Sequence, residues 1–171
     1  MKSEEFSKNI LSLDPAIRFA GLIERSGHLF AGGVREGTEI QLNDSKFNMS
    51  LVQSAHIVFL RERFSHELGS LKYVLYDYDK VKTLNMPVRE YILVFSLESN
   101  ANAEDIANKV SQYIDSVKHV LSLHPPSNTI DKEKRETLRN LYDSGIPEEM
   151  IADQLDLDIN TVRTLVEEIS S

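Results

Sequence analysis

Apolar and polar positions along the chain change period several times, and each change marks an element. Residues 4–13 carry a short helical pattern that stops at Asp14-Pro15, because proline lacks a donor and its predecessor is pushed out of the helical region. In IRFAGLIERSGHLFAGGVREG, Ile17, Phe19, Gly21 and Ile23 alternate on one face. Ser26-Gly27 supplies a two-residue turn in which glycine takes positive φ, so this segment predicts a hairpin. Gly32, Gly33 and Gly37 suggest a strand end approached closely by another backbone or a partner.

A helical period then returns over residues 44–68, with Asp44 or Ser45 as cap and Gly69 as stop. Two apolar rows run along it. Phe47, Leu51, Ala55 and Val58 form the first, and Met49, Val52, His56 and Phe59 the second. One row suffices for packing on a sheet, so the second asks for another cover: the first or last helix, or a second copy of the chain. LKYVLYDYDK, the shorter VKTLNM and YILVFSLE read as strands, the last apolar on both faces and therefore central. A helix over 102–121 places Ile106, Val110, Ile114, Val117 and Leu121 at helical spacing behind an Asn cap and first-turn acids. The order is α-β-β-α-β-β-β-α, an α+β arrangement.

His124-Pro125-Pro126-Ser127-Asn128 cannot continue a helix. It sets a linker at 123–131 between residues 1–122 and 132–171. The second part holds three short helical patterns. The first, 132–143, turns Leu138, Leu141 and Tyr142 inward and ends at Gly145. The second opens on Pro147 with Glu148 and Glu149 at the positive end of the helix dipole, and faces Ile151, Ala152 and Leu155 inward. Leu157 anchors a turn, Asp158 caps the third helix, and Val162 and Leu165 complete a small core.

With 41% hydrophobic residues the chain of 171 can bury a real core. No apolar run approaches the ~18 residues of a membrane span, and Glu4 and Glu5 at the start are unlike a secretory signal. Zero cysteines exclude disulfides and thiolate metal sites and fit a cytoplasmic protein. The net charge of −8 divides unevenly, −2 over residues 1–126 and −6 over 127–171.

The element order, with a hairpin directly before a long helix, resembles the roadblock/LC7 (profilin-like) fold over about residues 5–121. DPAIRFAGLIERSGHLFAGGVREG and YDYDKVKTLNMPV are more specifically similar to an uncharacterised family of short proteins from ammonia-oxidising archaea. The resemblance implies an antiparallel five-stranded sheet with helices, in a module that pairs with itself or a relative through the long helix and an edge strand. Roadblock relatives serve as scaffolds and as regulators of small GTPases. No GTP-binding loop is present in this sequence. The C-terminal part resembles the helix-turn-helix of many regulators, with Asp156 standing where such motifs prefer Gly.

In that motif the third helix enters the major groove. Ile159, Asn160, Arg163 and Thr164 are the candidate reading set, and Lys132, Lys134, Arg135 and Arg139 the candidate phosphate contacts. Acids crowd the same part: Glu167 and Glu168 follow Arg163 by a turn, and Glu148 and Glu149 lie where many relatives meet phosphate. A monomer of this kind binds weakly, and pairing through Met49, Val52, His56 and Phe59 would raise the effective concentration of a second half-site.

Catalytic chemistry finds no constellation. His56 and His66 are ten residues apart and His119 and His124 five, spacings that give no two-imidazole metal face. Asp77 and Asp79 read as a solvated strand edge beside Lys80 and Lys82. No cofactor motif appears. The sequence therefore points to a DNA-binding regulator that dimerises. Its alternative is a non-enzymatic roadblock-like scaffold whose acidic tail docks on a protein partner. A third possibility, a small-molecule sensor, predicts a pocket between the sheet and the long helix.

Overall fold

The structure is a computed structural model that describes residues 1–120, 132–155 and 157–170, with Lys132, Glu133 and Ser170 entering through their backbone alone. The expected linker at 123–131 and Asp156 lie outside the described residues. The elements are α1 (Ser3–Leu13), β1 (Ile17–Ile23), β2 (Leu29–Val34), α2 (Asp44–Glu62), α3 (Ser65–Leu68), β3 (Val74–Asp77), β4 (Val81–Val88), β5 (Tyr91–Glu98), α4 (Ala103–Val117), α5 (Lys132–Asp143), α6 (Glu148–Leu155) and α7 (Ile159–Ser170). The strands form one sheet in the order β2-β1-β5-β4-β3 with every neighbour antiparallel. β5, the strand apolar on both faces, is central.

Both faces of the sheet are covered. Phe6 and Ile10 of α1 and Ile106 and Val110 of α4 pack with Ala20, Leu22, Leu84, Leu93 and Phe95 on one side. Leu51, Ala55 and Val58 of α2 pack with Phe19, Ile23, Ile92 and Val94 on the other. Arg18, 7% exposed, ties the β2–α2 connection to the sheet: it donates to the Glu39 carbonyl (2.7 Å) and Gln41 Oε1 (3.1 Å) and pairs with Glu98 (3.2 Å).

Several local expectations shift. Ile17 does not share a face with Phe19, because the pairing with β5 slips between them and turns Ile17 toward α1 and α4. The β1–β2 turn closes between Glu24 and His28, so three residues rather than two form the loop, with Gly27 at φ 90°. A Cβ there would also stand 2.5 Å from Val52 Cα, so this turn packs tightly on α2. The α2 cap is Asn43, whose side chain accepts from the Lys46 N–H at 3.0 Å. The long helix ends at Glu62 and resumes only as the single turn of α3. Beyond Phe59 the apolar positions Phe64 and Leu68 are exposed, so no packing supports an unbroken helix there. β4 runs two residues further than expected, through Pro87-Val88. Pairing with β3 stops at Asn85, so Pro87 sits on a local edge where its missing N–H is harmless.

The C-terminal helices enclose their own core of Leu138, Leu141, Ile151, Ala152, Leu155, Val162, Leu165 and Val166. Gly145 at φ 78° ends α5, with its N–H on the Tyr142 carbonyl and that of Ile146 on Leu141, a Schellman closure. Asp158 caps α7 by accepting from the Asn160 N–H at 2.9 Å. Tyr142 departs from expectation at 37% exposed: the buried arc of α5 runs through Thr137, Leu141 and Leu138, and Tyr142 lies about 40° beyond its Leu138 edge.

Candidate functional site

With one arc of α2 against the sheet, two flanks remain. The first carries Met49, Val52, His56 and Phe59, the second apolar row. Its cover is neither α1 nor α4, which lie on the opposite face of the sheet, but the chain's own C-terminal helices. Val52, 5% exposed, joins their core cluster. Ser144 after α5 brings its hydroxyl oxygen within 3.5 Å of Met49 Sδ while donating its proton to the Asn140 carbonyl at 2.7 Å. His56, 7% exposed, meets Gln154 of α6, 3% exposed, with Nδ1 and Oε1 2.5 Å apart. Phe59 is half-buried.

Gln154 joins three elements. Its Nε2 donates to the Arg25 carbonyl in the β1–β2 turn at 3.1 Å. A carbonyl only accepts, which fixes the amide orientation and leaves Oε1 toward His56. His56 must therefore carry its proton on Nδ1 and donate it to Gln154. The turn is further held by the Arg25–Glu62 pair at 2.6 Å. Sequence reasoning missed Gln154. The available signal was a polar residue three after Ile151 and one before Leu155, inside the inward arc of α6.

Ser50, Ser54, Ile57 and Arg61 recur at helical spacing down the other flank. This flank faces β3. Burial pushes the Tyr76 phenol above its usual pKa, and the nearby Arg61 charge offsets part of that rise. Arg61 also lines a shallow cleft of about 220 Å³ with Phe64, Leu68 and Lys72. β3 is one of the two edge strands of the sheet, β2 being the other. The Tyr78 N–H bonds to Val81 at 3.0 Å, so the inward groups of β3 belong to Val74 and Tyr76, and those of Leu75 and Asp77 point outward. Leu75 (40%), Tyr78 (60%), Phe64 (51%) and Leu68 (83%) are exposed in this region. Asp77 pairs with Lys82 at 3.7 Å, the solvated edge expected of it.

The residues expected to read DNA are gathered on α7, and Arg163 among them is engaged by acids. Arg163 lies 3.4 Å from both Glu148 and Glu149 of α6. Arg135 pairs with Glu168 at 2.9 Å and Arg139 with Asp143 at 3.9 Å. The Lys134 ammonium reaches the Leu155 carbonyl at 3.4 Å, and the side chain of Lys132 lies outside the described residues. Thr164 donates to the Asn160 carbonyl at 2.9 Å, Asn160 is exposed, and Ile159 packs partly against the three-helix core. The pocket a small-molecule sensor would need is filled by Phe19, Leu51, Ala55, Val58, Ile92 and Val94. Among the described residues no three potential metal ligands come together, and no helix is long and apolar enough to cross a membrane.

A family model described as "Family of unknown function (DUF6659)" matches residues 1–119. The chain belongs to that family. The matched region is the sheet with α1–α4, and α5–α7 lie beyond it. Comparison with curated proteins gives no match. Solved structures are similar to the DUF6659 region in fold. A roadblock/LC7 domain from Streptomyces avermitilis aligns with TM-score 0.55 at 11% identity, covering 70% of this chain and 97% of its own. The gliding protein MglB from Thermus thermophilus aligns at 0.55 and 13%, covering 67% and 84%. MglB of Myxococcus xanthus aligns at 0.54 and 10%, covering 68% and 92%. At these identities the likeness is one of fold: the sheet unit of this DUF6659 member has the roadblock/LC7 architecture.

Proposed function

We propose that the chain is a non-enzymatic protein-interaction module that pairs with a second copy through the β3 edge and the adjoining Ile57–Arg61 flank of α2. The joined surface would be offered to a protein partner, with the small-GTPase association implied by the roadblock resemblance as the first class to try. The open β3 edge carries this reading. Its outward backbone groups at Leu75 and Asp77 lie among exposed Leu75, Tyr78, Phe64 and Leu68, the combination that recruits another strand. An antiparallel pair has its two-fold axis normal to the sheet, so both α2 helices would lie on the same face of a joined sheet. Ser50 and Ile57 on that flank are part-exposed, and Ser50 is small enough for a close helix approach. Met49, Val52 and His56, first expected at the interface, are occupied within the chain, so we assign the self-pairing surface to the β3 side.

Light scattering tests this. The 19.5 kDa chain should run at twice its mass. Leu75→Pro removes an outward donor without touching the β4 ladder and should halve that mass. A wild-type monomer at all concentrations would sink the reading.

A DNA reader is the second reading, favoured by Asn160, Arg163 and Thr164 standing close along α7 of a helix-turn-helix. Against it weigh the two carboxylates on Arg163 and the net of −6 over residues 127–171, since duplex affinity rests on free cations. Fluorescence anisotropy with random duplex decides it: this reading needs salt-sensitive binding that Glu148→Gln with Glu149→Gln strengthens.

A further inference from the structure

We propose that α5–α7 form a releasable cap by which the chain closes the Val52 flank of α2 to other proteins. The inference rests on the interaction reading above and adds a regulation to it. The helices do not need to unfold in order to leave, because they pack on one another: Leu138, Leu141, Ile151, Leu155, Val162 and Leu165 form one cluster among α5, α6 and α7. Their footing on the rest of the chain is narrow. Val52 is the α2 residue that joins their apolar cluster, and the directional hold is polar, Gln154 on His56 and on the Arg25 carbonyl. Departure exchanges those hydrogen bonds for bonds to water. The inner arc of α2 is apolar by comparison: Leu51, Ala55 and Val58 pack on Phe19, Ile23, Ile92 and Val94, with the buried Asn85 beside Val94.

What the cap covers is worth covering. With α6 gone, Met49, Val52, His56 and Phe59 would form an apolar stripe beside the β1–β2 turn, the kind of surface that marks a protein contact. The stripe is on the opposite flank from Ile57 and Arg61, so opening it does not require the β3 pairing to break. The molecule thus has one interaction face open at β3 and a second held shut by its own C-terminal helices. Opening of such a unit is a sub-global event, below the free energy of full unfolding.

The chain has no cysteine, so a single introduced thiol reports each face of α2. Val52→Cys lies under the cap and Ala55→Cys under the sheet, 5% and 1% exposed in the parent. Under native conditions a maleimide should modify Val52→Cys roughly tenfold or more faster than Ala55→Cys. Adding Gln154→Ala should speed the first and leave the second unchanged. Equal rates at the two sites, or the same acceleration of both by Gln154→Ala, overturn the proposal. Met49→Cys, beneath Ser144, gives the same comparison if Val52→Cys folds poorly. The readout needs neither partner nor second copy, so it stands or falls separately from the mass measurement.

Discussion

Toward the sheet, α2 presents Leu51, Ala55 and Val58 to Phe19, Ile23, Ile92 and Val94, with the buried side chain of Asn85 beside Val94 on the same face. Toward α6 it presents Val52 and His56, and the contact turns on a buried imidazole, a buried carboxamide and a backbone carbonyl. The two arcs are nearly equal in burial, yet separation costs them different things. Pulling α2 from the sheet exposes mainly hydrocarbon together with the buried Asn85, whereas pulling α6 from α2 breaks the hydrogen bonds of three polar groups that water can satisfy. A helix can therefore be a fixed part of one layer and a joint to the next at the same residues' height.

The largest effect expected from breaking this comparison is on the inner side. Leu51→Ala removes three side-chain carbons at a site 2% exposed and should cost about 3 kcal/mol. Denaturant melts followed by far-UV circular dichroism should show the sheet unit itself destabilised. Gln154→Ala comes next, at about 1–2 kcal/mol, because the buried His56 N–H and the part-buried Arg25 carbonyl lose their partner. Its signature is local: hydrogen exchange should accelerate in α5–α7 and stay as it was in β1 and β5. Uniform acceleration across the chain would mean that the outer arc is as much core as the inner.

The inner arc was legible in the sequence and the outer only half so. Phe47, Leu51, Ala55 and Val58 fall at helical spacing, and a sheet with one apolar face had to meet them. The surplus row announced that something covers it but not what, since hydrophobic periodicity records that a residue is buried and never by which neighbour. The specific contact lay in Gln154, 98 residues from His56, and a lone polar residue in an inward arc gives no address. Electrostatics failed in a similar way. Asn160, Arg163 and Thr164 suit base edges one by one, but Glu148 and Glu149 stand fifteen and fourteen residues away in sequence and 3.4 Å away in space from Arg163. Pairing of charges belongs to the tertiary fold. The shift of Ile17 to the other face had no sequence signal either, because one residue's slip in register inverts the alternation that was used to read it.

The smallest effect sharpens the comparison by acting far from both arcs. Asp14, after α1, meets Lys109 of α4 at 2.8 Å on the side of the sheet away from α2. The Lys109 ammonium, then the Ala16 N–H, hold the Asp14 carboxyl below its usual pKa against a weaker push from burial. A carboxyl lowered in the folded state contributes stability that is complete above its unfolded pKa of about 3.9 and fades as pH falls through the lower folded value. Lys109→Met should therefore be slightly less stable than wild type near neutral pH, with the difference vanishing in the acid limb of the stability curve. Lys109 is half exposed, so solvent screens the pair and the effect stays small. Because α4 and α6 lie on opposite sides of the sheet, maleimide modification of Val52→Cys should proceed at the same rate with and without Lys109→Met. If the rate rose, strain would be passing through the sheet from one helical layer to the other, and the cap could not be treated as a joint of its own.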